Sequence, residues 1–201
     1  MIVLGLTGPT GAGKGIVGET FRAQGVPVLD TDAVYHEWIK APTPCTMELA
    51  AEFGDDILAE DGSVNRRRLA EIVFCGTPEE ETRKRRLNAI AHRYVLESCE
   101  IWLRECEAHG ARAAVIDAPL LIEAGLHQRC QGVLAVLAPT ETRLARIMVR
   151  DGISYEAARA RIAAQPKDSF YREHADFVFE NDGKELEARR FVASVLLAFS
   201  V

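Results

Sequence analysis

The residues best suited by type and spacing to do chemistry lie near the N-terminus, in Gly8-Pro9-Thr10-Gly11-Ala12-Gly13-Lys14-Gly15. This string follows a short apolar run and opens a helical pattern, the strand–loop–helix context of a phosphate-binding loop. Glycines allow successive backbone N–H groups to curl around phosphate oxygens, and the helix N-terminus adds a favourable dipole. Lys14 supplies a point charge for the β- and γ-phosphates of a nucleotide. The residue after such a lysine is usually Ser or Thr, whose hydroxyl reaches Mg²⁺. Here it is Gly15, followed by Ile16, and neither side chain can ligate a metal. Phosphate cradling needs only backbone and lysine, so Mg²⁺ is expected to rest on carboxylates, water and ATP.

Three aspartates are expected outside the carboxyl ends of parallel strands, where ligands of an open sheet bind. Asp32, read as the end of the second strand, is the candidate base for an acceptor hydroxyl. The other reading of Asp32 is a cap of the helix that follows. Asp117, at the end of the third strand, is the candidate metal-side acid, acting directly or through water, or else a turn residue before Pro119. Asp30 divides evenly between such roles. Farther on, Arg143, Arg146 and Arg150 recur at helical spacing, followed by Arg159 and Arg161 beyond Asp151-Gly152. Two short arginine-bearing helices resemble the lid of small P-loop kinases, which brings arginines onto transferring phosphates and excludes water. The other reading is a solvated basic face paired with Glu141 and Glu156.

These residues need an α/β framework to position them, and the pattern of the chain supplies one. Short apolar runs at residues 2–6, 26–29, 113–116, 132–137 and 177–179 read as strands. Helical segments are expected at 14–24, 140–150, 154–165 and from 184 onward. Residues 33–110 read as mostly helical, broken at Pro42 and Pro44 and at Glu60–Ser63, with Asn65 a candidate cap. Strands alternating with helices imply a five-stranded parallel sheet covered on both faces, a P-loop-type three-layer sandwich. The helical block is too long for a simple crossover and reads as an insert. The expected organisation is a nucleotide-binding core of residues 1–32, 111–140 and 166–201, an acceptor lobe at 33–110 and a lid at 141–165. The chain has 201 residues, enough for one domain with an inserted lobe. Its net charge of −6 argues against a general nucleic-acid partner. No apolar stretch approaches a membrane span, and five cysteines without CxxC spacing read as reduced thiols of a cytoplasmic protein. Nothing in the sequence sets the oligomeric state.

Several separated segments resemble the dephospho-coenzyme A kinase family, in its order and over nearly the whole chain. Leu6-Thr7-Gly8 with the loop resembles its opening, and Val28-Leu29-Asp30-Thr31-Asp32 its D-x-D segment. Phe53-Gly54, Asp61-Gly62, Arg66-Arg67 and Phe74 resemble a further stretch, as does Leu87-Asn88 with His92. Pro119-Leu120-Leu121-Ile122-Glu123 resembles the most diagnostic short string of the family. Arg146, Arg150-Asp151 and Gln165 resemble its lid, and Ala175-Asp176 with Asn181-Asp182-Gly183 its last strand and turn. The Gly-Ala-Gly-Lys-Gly string is also similar to the loop of adenylate kinases, in which the metal is held largely through water.

The resemblance implies ATP-dependent phosphorylation of the 3′-hydroxyl of dephospho-coenzyme A, with Mg²⁺. It implies Asp32 as base, with Lys14 and Arg146 beside it in catalysis. It assigns Gly11, Ala12, Gly13, Lys14, Gly15, Ile16, Arg146 and Asn181 to ATP. It assigns Asp32, Arg66, His92, Leu120 and Glu123 to the acceptor. Three positions depart from the family pattern. Gly15-Ile16 stands for Ser-Thr, Arg93 for the proline after His92, and Pro166-Lys167 follows Gln165. Two other readings remain open at this stage: a kinase of another small acceptor, and a nucleotide-binding protein without transfer.

Overall fold

A computed structural model describes residues 1–201. The first strand, β1 (Ile2–Thr7), is buried along its last four residues, Gly5 included, and ends at the glycine-rich loop. The loop delivers the chain into α1 (Lys14–Ala23). Gly25, with φ near 78°, then turns it toward β2 (Val28–Asp30). A run of helices follows: α2 (Thr31–Ile39), α3 (Pro44–Phe53), α4 (Arg66–Val73) and the 29-residue α5 (Glu80–Ala108). The chain then forms β3 (Ala113–Asp117), β4 (Gly132–Leu137), α6 (Thr140–Asp151), α7 (Tyr155–Ala163), α8 (Asp168–His174), β5 (Phe177–Glu180) and α9 (Glu185–Ala198).

The five strands form one parallel sheet in the order β2-β3-β1-β4-β5. The centre strands are apolar throughout because helices cover both faces. β4 shows the alternation directly. Leu134 and Val136 join Leu4, Leu6, Val17, Phe21, Val192 and Val195 on the face covered by α1 and α9. Ala135 and Leu137 join Ile122 and Tyr171 on the other. Successive side chains of a strand point to opposite faces, so one six-residue strand serves two cores.

By its contacts the chain divides into two units, Met1–Asp30 with Leu103–Val201, and Thr31–Trp102. The second unit is helical and has its own core of Ile39, Cys45, Leu49, Ile57, Val64, Leu69, Val73 and Ile90. Its local signals are strong. Thr43 and Thr46 cap α3 reciprocally with Pro44 at its first position, and Asn65 accepts from Arg68 N at 3.0 Å to cap α4. The segment expected as the lobe, 33–110, differs from this unit at both ends, and α6 and α7 belong to the first unit.

Two local differences from expectation have physical causes. β2 ends at Asp30, so Asp32 does not end a strand: it lies in the first turn of α2, where the helix dipole favours a carboxylate. The seven-residue α8 has no counterpart in the sequence pattern. It is too short to display a period and is held by burial of Tyr171. Elsewhere α5 runs unbroken through Arg93, the position that departs from proline. The five cysteines are thiols, and no helix is long and apolar enough to cross a membrane.

Candidate functional site

The glycine-rich loop is held from behind by three side chains, all within the first unit. Arg143 of α6 donates from Nε to the carbonyl of Thr10 at 2.9 Å. Arg146, one turn along the same helix, donates from Nη1 to the carbonyls of Gly11 at 3.3 Å and Ala12 at 3.0 Å. Asn181, just after β5, donates from Nδ2 to Ala12 O at 2.8 Å while its Oδ1 accepts from Gly183 N at 3.0 Å. The peptides of the loop are trans, so an N–H sharing a peptide plane with an engaged carbonyl points the opposite way. The N–H groups of Gly11 and Gly13 are thereby turned away from the arginines. Ala12 N closes a turn onto Pro9 O at 3.1 Å.

Two glycines carry different constraints. Gly13 has φ near 89°, and a Cβ there would fall 2.3 Å from the amide nitrogen of Asn181. No other residue fits both the conformation and the approach. A Cβ on Gly15 would meet nothing within 4 Å, so its lack of a side chain is not imposed by packing.

Lys14 begins α1 and reaches across to β3, with Nζ 3.9 Å from Oδ1 of Asp117. Both side chains are only 17% exposed. At β1's end the buried Thr7 hydroxyl donates to Pro119 O at 3.2 Å, fixing the start of the Pro119–Glu123 segment. Along that segment Leu120 and Glu123 are exposed. Asp32, Arg66 and His92 belong to the helical unit. Asp32 and Arg66 are exposed and stand in the first turns of α2 and α4; His92 is half-buried on α5, where burial lowers its pKa. The structure thus gathers Gly11, Ala12, Gly13, Arg146 and Asn181 around one loop and brings Lys14 to Asp117.

Arg143 and Arg146 of α6 are not part of a solvated face paired with Glu141 and Glu156. Arg143 is buried, its pKa is lowered by that burial, and it reaches Gln165 at 3.3 Å and Asp168 at 3.4 Å. Gln165 Oε1 in turn accepts from Thr10 N at 2.9 Å. Thr10 is therefore clamped at both its N–H and its C=O. Arg150 and Arg161 pair with Asp151. Sequence spacing placed Arg143 and Gln165 in the lid helices, but it carried no sign of this clamp.

No group of three or more acidic, histidine or cysteine side chains is arranged to hold a metal ion. What the chain offers is Asp117 beside Lys14, with no hydroxyl at Gly15. That donor set fits a hard cation that arrives on nucleotide oxygens and keeps its waters. It does not fit a dedicated cage.

Comparison with known proteins agrees with this geometry. The Dephospho-CoA kinase family model matches residues 2–187. A dephospho-CoA kinase of Thermobifida fusca is 38% identical over 97% of this chain and 94% of its own length. One from Corynebacterium glutamicum is 36% identical over 98% of each. A solved protein from Thermus thermophilus superposes with a TM-score of 0.80 at 34% identity, covering 98% of this chain and 96% of its own. A shikimate kinase from Bacteroides thetaiotaomicron, at TM-score 0.55 and 16% identity over 100% of this chain and 99% of its own, shares the fold.

Proposed function

The chain belongs to the dephospho-CoA kinase family, enzymes that use ATP to phosphorylate dephospho-coenzyme A in the last step of coenzyme A synthesis, and we propose the following division of work among its residues. The N–H groups of residues 11–16, with the Lys14 ammonium, hold the β- and γ-phosphates. Asp32 orients the 3′-hydroxyl and takes its proton as the oxygen–phosphorus bond forms and the β–γ bridge breaks. Arg146, held against the carbonyl side of the loop, fixes its shape, and the family resemblance assigns it to the charge that develops on the transferring group. Asn181 serves ATP indirectly, since both ends of its amide are engaged in shaping the loop. Arg66, His92, Leu120 and Glu123 serve the acceptor.

A kinase of this kind generally requires a divalent cation, and Mg²⁺ is the one proposed. Asp117 would hold it through water, and the ion would neutralise phosphate charge. A cytoplasmic location, where thiols stay reduced, belongs to the same proposal.

The observation that carries this reading is the set of bonds behind the loop. Three consecutive carbonyls, of Thr10, Gly11 and Ala12, are engaged by Arg143, Arg146 and Asn181. A loop fixed that way presents donors, not acceptors, to a ligand. The test is ADP release with ATP and Mg²⁺, comparing dephospho-coenzyme A with adenosine, AMP, CMP and no acceptor. Turnover with dephospho-coenzyme A alone is expected, and Lys14→Met should abolish most of it. Full activity of Lys14→Met would overturn the role given to the loop.

A further inference from the structure

Around Arg66, already given to the acceptor, the helical unit holds a cleft of about 220 Å³ whose other lining residues the roles above do not use. It is lined by His36, Ile39, Lys40, Ser63, Val64 and Arg66. Its floor is apolar, with Ile39 and Val64 buried. Its other walls are an imidazole, an ammonium, a guanidinium and a hydroxyl, and no carboxylate lines it. The walls are fixed to each other. Val64 N donates to Ile39 O at 2.8 Å and Asn65 N to Ile57 O at 2.7 Å, tying the end of α2 to the start of α4. Arg66 is the first residue of α4, where the helix dipole adds positive potential. Lys40 pairs with Glu37, but both side chains are about two-thirds exposed, and such a pair is worth little against a competing phosphate.

We infer that this cleft holds the diphosphate of the acceptor through His36, Lys40 and Arg66, on the same side of α2 that carries Asp32. The inference rests on the family reading and on Asp32 as base. Residues four apart on a helix lie on one face, about 6 Å apart along its axis. Asp32 and His36 are so spaced, and Lys40 follows just beyond the end of α2. In the acceptor the reacting 3′-oxygen and the 5′-diphosphate sit on one ribose, joined through C3′, C4′, C5′ and O5′. A helix face offering a carboxylate, one turn on an imidazole, and beyond it an ammonium matches that order of groups. Apolar contact with Ile39 and Val64 excludes water beneath the phosphates and strengthens the charge interactions. The cleft thereby selects an acceptor bearing both the hydroxyl and the diphosphate, and it disfavours an unphosphorylated nucleoside.

The test compares wild type, the double variant His36→Gln/Lys40→Gln and the single variant Lys40→Arg. The readouts are KM for dephospho-coenzyme A, KM for ATP, kcat and the salt dependence of the acceptor KM. The double variant should raise the acceptor KM about tenfold, equivalent to about 1.4 kcal/mol. KM for ATP and kcat should stay within about twofold, and the acceptor KM should lose part of its salt dependence, as removal of phosphate contacts requires. Lys40→Arg should keep the wild-type acceptor KM. An acceptor KM that does not change overturns the inference. So does an equal rise in both KM values, an unaltered salt dependence, or a loss that Lys40→Arg shares. Failure of the wild type to turn over dephospho-coenzyme A would instead overturn the family reading, independently of the variants.

Discussion

Asp32 and Gly15 carry the two sharpest questions at the scale of single residues. Asp32 stands in the first turn of α2, one residue past Thr31, where a carboxylate is favoured by the helix as well as useful to a hydroxyl acceptor. The two roles separate by substitution. Asp32→Asn keeps a polar group in that turn but cannot accept a proton, so kcat should fall about 100-fold or more, with ATP affinity little changed. A kcat within about threefold of wild type would leave Asp32 a helix-terminus residue alone, because a general base contributes at least about 100-fold. At Gly15 the space for a side chain exists, since nothing lies within 4 Å of a built Cβ. Gly15→Ser should fold as wild type and should lower the Mg²⁺ concentration for half-maximal rate by about tenfold, the scale on which single metal-site contacts act. An unchanged Mg²⁺ requirement would show that the ion does not approach this turn.

Among the elements, α6 and α5 show how secondary structure serves the site. α6 places Arg143 and Arg146 one turn apart, so both reach carbonyls of the same loop. Arg143→Met fills similar space but leaves the Thr10 carbonyl without its donor and Gln165 with Thr10 N alone. An unsatisfied buried acceptor costs about 1–3 kcal/mol. If that cost falls on the shape of the loop, KM for ATP should rise about tenfold. A fall in Tm without any change in KM for ATP would make Arg143 a packing residue only. α5 falls largely within the stretch read as mostly helical, and through residue 93 it carries Arg93, not proline, which pairs with Glu48 and lies over the Tyr94 ring at 5.0 Å. Proline inside a helix costs about 3 kcal/mol or more, so Arg93→Pro should lower Tm by about 6–12 °C in a chain of this length. A change under about 2 °C would mean that α5 tolerates a kink there.

For the molecule as a whole, the pH dependence of stability is a property to which His92 contributes with a definite sign. Burial holds its pKa below the ordinary value of 6.5. Between the two pKa values the unfolded chain binds more protons than the folded one, so this contribution is present above about pH 6.5 and is lost as pH falls below it. Tm of the wild type should therefore drop more between pH 7.5 and pH 5.5 than Tm of His92→Gln. Parallel melting curves for the two proteins would remove His92 from that account.

By itself the sequence determined what depends on neighbours along the chain. The strand–loop–helix around Lys14 is local, because backbone N–H groups and one lysine within a few residues make the cradle. The five strands were legible as apolar runs, and the cap at Asn65 acts over three residues. The order of family motifs belongs to the same level, and with it the activity. Only the tertiary structure decided what the polar side chains touch. Arg143 reaches Thr10 across 133 residues, Arg146 reaches Ala12 across 134, and Asn181 reaches Ala12 across 169. A guanidinium on an amphipathic helix looks the same in sequence whether it meets water, a phosphate or a carbonyl. The parallel sheet settles the matter here, since placing β1 between β3 and β4 brings α6 and the end of β5 behind the loop that follows β1. The short strand β2 gave way to α2 at Thr31 for a related reason: its pairing with β3 ends at Asp30–Asp117, and beyond that register a helix satisfies the backbone where a strand would have no partner.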